Sequence, residues 1–137
     1  MSILSIKKAF EKKLSTLSQG IETAYEGLTY TPKTGTPYQK IQLVSKTPVN
    51  NVAASGFYRE QGEFQIFLMY PTNKGTGDAL KQAEALRLLF KRGTNLVQDG
   101  LTILLFRTPT IAGVQVIGDR VIVPIIVPYI CDVNADI

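Results

Sequence analysis

The stretch from Val121 to Ile130 sets the hardest constraint on what this chain can become. Val121, Val123, Ile125, Val127 and Tyr129 alternate with Ile122, Ile126 and Ile130, so an extended strand here is apolar on both faces. Pro124 and Pro128 have the same parity, which points both missing N–H groups to one lateral side. That side cannot form a full ladder, while the odd-numbered residues can still pair inward. The strand is therefore expected at a sheet edge, or at a seam where another subunit packs by side chains. An edge strand guarded by prolines and a self-association surface both fit.

Alternation governs the middle of the chain as well. Phe64, Ile66, Leu68 and Tyr70 form one apolar face, and Glu63, Gln65, Phe67 and Met69 form an opposite face that begins polar and ends apolar. Pro71 stops this strand, and Asn73-Lys-Gly-Thr-Gly77 turns into a helix from about Asp78 to Lys91. Thr76 or Asp78 can cap that helix, and Ala79, Ala83, Leu86 and Phe90 form its buried stripe. Lys91, Arg92 and Gly93 make a favourable ending.

A first helix is predicted from about Ser2 to Leu17, with Ile3, Ile6, Phe10, Leu14 and Leu17 on one stripe, Ser2 as N-cap and Gly20 past its end. Ile21 to Tyr30 alternates as a strand, Thr31 to Tyr38 is a Pro/Gly/Thr loop, and Ile41, Leu43 and Val44 support a second short strand. Residues 47–56 read as a connection. Leu101 to Phe106 is a further apolar run, and Gly118-Asp119 joins Val114, Val116 and Ile117 to the final strand as a hairpin.

Helix, two strands, long strand, helix and two to three strands make an α+β chain. The expected architecture is one domain over 1–137, an antiparallel-dominated sheet with two helices packed on one face. Two helices cannot readily cover both sides of such a sheet. Phe67, Met69, the 101–106 run and the even-numbered residues of the last strand are then a surplus that a small monomer rarely exposes.

Composition narrows the chemistry. With 137 residues and 45% apolar, the chain can bury a core, and no apolar run reaches the roughly 18 residues needed to cross a bilayer. Lysines interrupt the first twenty residues, so no signal-peptide layout is present, and the chain reads as soluble and made inside the cell. There is no His, and the single Cys131 permits neither an internal disulfide nor a Cys-based zinc site. A buried thiol is the default for it. Three of the four net positive charges sit in residues 1–20, on Lys7, Lys8, Lys12 and Lys13 against Glu11. A solvated helix face explains them more simply than a nucleic-acid surface, since arginine is absent there and Phe10 is the one aromatic. Asn73-Lys-Gly-Thr-Gly-Asp78 departs from the phosphate-loop pattern, and Asp78 would repel phosphate. Glu60 and Glu63, three apart in a strand region, point to opposite faces. No catalytic, metal or cofactor residues are assigned.

Several segments together resemble the tail-terminator proteins of long-tailed bacteriophages, the group that includes minor tail protein U. They are Arg59-Glu-Gln-Gly-Glu-Phe-Gln-Ile66, Tyr70-Pro-Thr-Asn-Lys-Gly-Thr-Gly-Asp-Ala79, Phe90-Lys-Arg-Gly-Thr94, Gly118-Asp-Arg120, Val123-Pro124 and the Thr36-Pro37-Tyr38-Gln39 loop. The resemblance covers roughly residues 25–130, and the segment after Cys131 departs from it.

The resemblance implies a homohexameric ring at the head-proximal end of the virion tail, made in the host bacterial cytoplasm. Such a ring stops tube polymerisation and presents a surface to the neck. Its implied partners are further copies of itself, the tail tube protein, a neck or head-completion protein and, transiently and without specificity, the DNA passing its lumen. No cofactor, reaction or membrane is implied. Subunit contacts are expected at Phe67, Met69, Ile122, Ile126 and Ile130, and tube, neck or lumen contacts at Lys33, Tyr38, Asn73 and Lys74. A head-completion or neck connector protein, a small nucleic-acid-binding module and a small carboxylate enzyme remain the rival readings.

Overall fold

The computed structural model describes residues 2–17, 21–50, 56–72 and 75–134. Among these residues, two helices and eight strands follow in the order α1 (Ser2–Ser15), β1 (Glu22–Ala24), β2 (Tyr38–Ser45), β3 (Phe57–Pro71), α2 (Gly77–Leu89), β4 (Asn95–Gln98), β5 (Leu101–Leu104), β6 (Thr110–Ile111), β7 (Gln115–Ile117) and β8 (Arg120–Asn134). The sheet is mixed. Its order is β1-β2-β3-β8-β5-β4, with β6 and β7 also pairing to β8. β1 runs parallel to β2, and the other pairings are antiparallel.

The expectation of an edge position for the last strand is corrected. β8 lies inside the sheet, paired with β3 from Phe57↔Asn134 to Pro71↔Arg120. Its other side is shared among β7 at Arg120–Ile122, β6 at Ile125–Ile126 and β5 at Ile130–Cys131. The prolines explain this division. The Pro124 carbonyl accepts from the Ala112 amide at 2.9 Å, so the lateral edge of Pro124 faces the β6 side. Pro128 has the same parity and falls between the β6 and β5 pairings. Both missing donors therefore lie where the ladder is already broken, and the β3 side loses nothing. The parity argument holds, but an interrupted side belongs equally to a central strand bordered by short ones.

Side-chain alternation builds the core. Phe64, Ile66 and Leu68 on β3 face Val127, Ile125 and Val123 on β8, and all six are essentially sealed from solvent. Ile6, Phe10 and Leu14 of α1 and Ala79, Ala83 and Leu86 of α2 join them in one cluster, with Phe90 just past α2. Ring centroids of Phe10 lie 4.7 Å from Phe64, 5.5 Å from Tyr129 and 5.8 Å from Phe90.

Other boundaries move for local reasons. The strand expected over 21–30 ends at Ala24, and Gly27 turns the chain at φ 76°. Ile3 leaves the α1 stripe and is 41% exposed, while Ser5 and Ala9 are buried instead. Ser2 stands inside the helix rather than before it, its hydroxyl donating to Glu60 Oε2 at 3.3 Å. Thr76 is the residue before α2 but makes no side-chain cap bond. Gly20 lies outside the described residues. β3 starts at Phe57, well before the alternation of apolar residues sets in, because its polar first half is still paired to β8.

The 101–106 run is half of a hairpin. β4 pairs with β5 across Asp99-Gly100, both left-handed at φ 51° and 79°, as a two-residue turn of this kind requires. Ser5 of α1 donates to Asp99 Oδ2 at 2.8 Å and fastens the helix to this turn.

Candidate assembly surface

Cross-strand partners share a face, so the register fixes which side chains stand together. Tyr38, Met69 and Ile122 form one row across β2, β3 and β8. Lys40, Phe67 and Pro124 form the next, followed by Gln42, Gln65 and Ile126, then Val44, Glu63 and Pro128. Ile130 continues the β8 column beside Gln61 of β3 and Leu104 of β5. All five residues expected at a subunit contact, Phe67, Met69, Ile122, Ile126 and Ile130, thus lie on one face of the sheet. It is the face opposite the core residues, and each of the five is half-buried.

This open face changes character along its length. At the Tyr38 end it is aromatic and apolar. In its middle the apolar β8 column runs beside amides and charges: Gln42 Nε2 donates to Gln65 Oε1 at 2.5 Å, Gln65 Nε2 to Glu63 Oε1 at 3.1 Å, and Lys46 lies 4.0 Å from Glu63. At the far end Arg59 holds Asp132 with two bonds of 2.7 and 3.1 Å, beside Ile130 and Leu104 in a hollow of about 460 Å³. The guanidinium keeps the Asp132 carboxyl below its ordinary range, and the carboxylate raises Arg59 in return. Both are ordinary charged partners at neutral pH.

Of the four loop residues expected to meet partners, Lys33 and Tyr38 are among the described residues. Lys33 is exposed and paired with Glu22 at 3.1 Å. Tyr38 joins the open face, with its ring 4.9 Å from that of Tyr30. Residues 24–32 and 38–42 border a second hollow of about 400 Å³, in which Leu28 is 69% exposed. Asn73 and Lys74 lie outside the described residues.

One organising residue, quoted above only as part of the Gly118-Asp-Arg120 segment, was given no role in the sequence-based expectations. Arg120 is only 8% exposed. Its Nη1 donates to the Thr36 carbonyl at 2.5 Å and its Nη2 to the Lys33 carbonyl at 2.7 Å, while its guanidinium carbon sits 5.1 Å from the centre of the Tyr38 ring. The available signal was an arginine opening an otherwise apolar strand directly after a Gly-Asp turn.

Cys131 lies on the buried face, its thiol pushed up to about 11 by burial and then by Asp132 and Glu60, so it is neither thiolate nor reachable. Among the described residues no group of three or more His, Cys, Asp or Glu could hold a metal ion. No helix among them is long and apolar enough to cross a membrane. On α1, Lys7 pairs with Glu11 at 3.8 Å, Lys8 and Lys12 are exposed, and Lys12 and Lys13 border a shallow hollow of about 260 Å³ against β4.

The family model described as phage tail terminator protein matches residues 5–129. The chain belongs to the phage tail terminator family. That family is one of structural proteins of the phage tail, not of enzymes, and the role of this chain is accordingly a structural one in the virion tail. The match takes in α1 from Ser5 onward and ends at Tyr129, two residues before Cys131, leaving out the terminal segment that the sequence motifs also failed to cover. Six chains among solved structures match. One of them superimposes with a TM-score of 0.80 over 96% of this chain and 96% of its own, at 23% identity, a likeness that speaks for the fold. No curated protein matches the chain.

Proposed function

We propose that this tail terminator family member acts as a homohexameric ring that closes the head-proximal end of the tail tube, stops its polymerisation and offers the neck a docking surface. The observation that carries the reading is the open face, where Phe67, Met69, Ile122, Ile126 and Ile130 stand together and none is sealed within one copy. Buried residues of α1 and α2 join the core cluster with the other face's side chains, and a sister subunit covers this one. Such a contact joins two different surfaces and repeats around an axis until the ring closes. Six identical faces then convert weak single contacts into firm attachment to the tube. The 31–39 loop faces the tube, the neck protein or the lumen, where passing DNA makes only brief contacts without base recognition.

Removing the gene tests the reading directly. Tails of uncontrolled length, or tails without heads, are expected in electron micrographs, and normal virions would end the proposal. Ile126→Asp tests the face. Ile126 is half-buried on the open side, so the substitution should change fold stability by about 1 kcal/mol or less. Buried in a subunit contact, the same carboxylate would be desolvated without a partner and weaken assembly at least about tenfold. Light scattering of rings and a melting curve separate the two effects. Equal losses in both would remove the face from the interface.

A further inference from the structure

The 33–36 turn is fastened to the sheet by one side chain. Thr36 N donates to the Lys33 carbonyl at 3.1 Å and closes the turn, and Gly35 within it is left-handed at φ 75°. Arg120 reaches the carbonyls of Lys33 and Thr36 together, so its two Nη atoms span the turn from end to end. A planar fork fits two carbonyls at that spacing, whereas a lysine ammonium offers one compact centre. The same guanidinium packs against Tyr38, the residue that leads from the turn into the open face.

This is an expensive way to hold a surface loop. Among the described residues no carboxylate pairs with Arg120, although only 8% of the residue is exposed. A buried charge without a counter-charge persists where its hydrogen bonds determine a geometry that a cheaper apolar contact would leave loose. The loop itself supplies little else to fix it, since Thr31 to Pro37 forms no strand and is mostly exposed.

We propose that Arg120 is the positioning residue of the partner-facing loop, setting the 33–36 turn and the Tyr38 ring in the orientation that a tail or neck protein engages. The proposal rests on the partner-facing role given to this loop above. It assigns Arg120 no contact with the partner. Its influence passes through Tyr38 and the turn.

Arg120→Met, Arg120→Lys and Tyr38→Ala, singly and with Arg120→Met and Tyr38→Ala combined, test it in two ways. Brief trypsin treatment of the native protein reads the loop through cleavage after Lys33. Arg120→Met should be cut there about tenfold faster than the parent, with Arg120→Lys in between, as expected when a local tether is lost and the global fold is kept. Infectious titre reads the docking. Arg120→Met and Tyr38→Ala should each lower it, and the combined variant should fall by clearly less than the product of the two losses, because residues acting through one another are not additive.

A merely structural role for Arg120 would make the two losses multiply, and that result overturns the proposal. Unchanged cleavage after Lys33 in both Arg120 variants overturns it too, and Arg120→Lys provides this reading should Arg120→Met fail to fold. Faster cleavage with a normal Tyr38→Ala titre would keep the tether but defeat the partner-facing role of the loop. Normal virions from the gene deletion would instead defeat the terminator reading itself.

Discussion

Phe10→Ala should destabilise the chain by about 4 kcal/mol, lowering the melting temperature by roughly 12 °C for a domain of this size. Phe10 is fully buried and is the hub of an aromatic cluster, stacked on Phe64 and in ring contact with Tyr129 and Phe90. Truncation removes the apolar transfer term and leaves a cavity at the junction of α1, β3, β8 and the end of α2. These walls come from four separate elements and cannot all move inward. Phe10→Leu separates volume from ring geometry: it keeps most of the bulk and forfeits the aromatic contacts, at about 1–2 kcal/mol. Urea unfolding measures both, with the midpoint falling and the slope unchanged. A loss below about 1 kcal/mol for the alanine variant would mean that the aromatic cluster is not where the core is tied together.

Gly62→Ala is the second large effect, and it arises from adding a single methyl group. A Cβ at Gly62 would stand 2.2 Å from the Val44 carbonyl oxygen, 2.9 Å from Tyr129 Oη and 3.1 Å from Ser45 Cα. The first and third are backbone atoms of β2, paired directly to this part of β3, so no side-chain rotation relieves them. Tyr129, the cross-strand partner of Gly62, leans over the space that a side chain would occupy. Relief requires β2 to separate from β3 around Ser45, at a cost of about 3 kcal/mol. The expected readout is a melting temperature lower by roughly 10 °C, with early amide exchange in β2. Parent-like stability would show that β2 can shift freely at this point.

How much of this was legible depended on whether a residue's environment was local. The buried stripe of α2, the alternation of β3 and the final hairpin turn follow from spacing alone, and each stands where spacing placed it. The clustering of Phe67, Met69, Ile122, Ile126 and Ile130 on one face was partly legible, because parity fixes the face of a strand once its neighbour is known. β4 was missed although Asp99-Gly100 signalled a tight hairpin, because Asn95–Gln98 has only two apolar residues to mark a strand. The central position of β8 was hidden for a different reason. Prolines report which lateral side is broken, but not whether short strands will fill the gaps. Arg120 was the least legible, since its partners are distant backbone carbonyls, those of Met69, Thr36 and Lys33, which no side-chain pattern announces.

The divided flank of β8 makes the molecule mechanically uneven. On one flank a ladder from end to end behaves as a stiff spine that yields only when the whole fold yields. On the other, β5, β6 and β7 are separate short pairings, so a disturbance at one is not carried along a continuous ladder to the next.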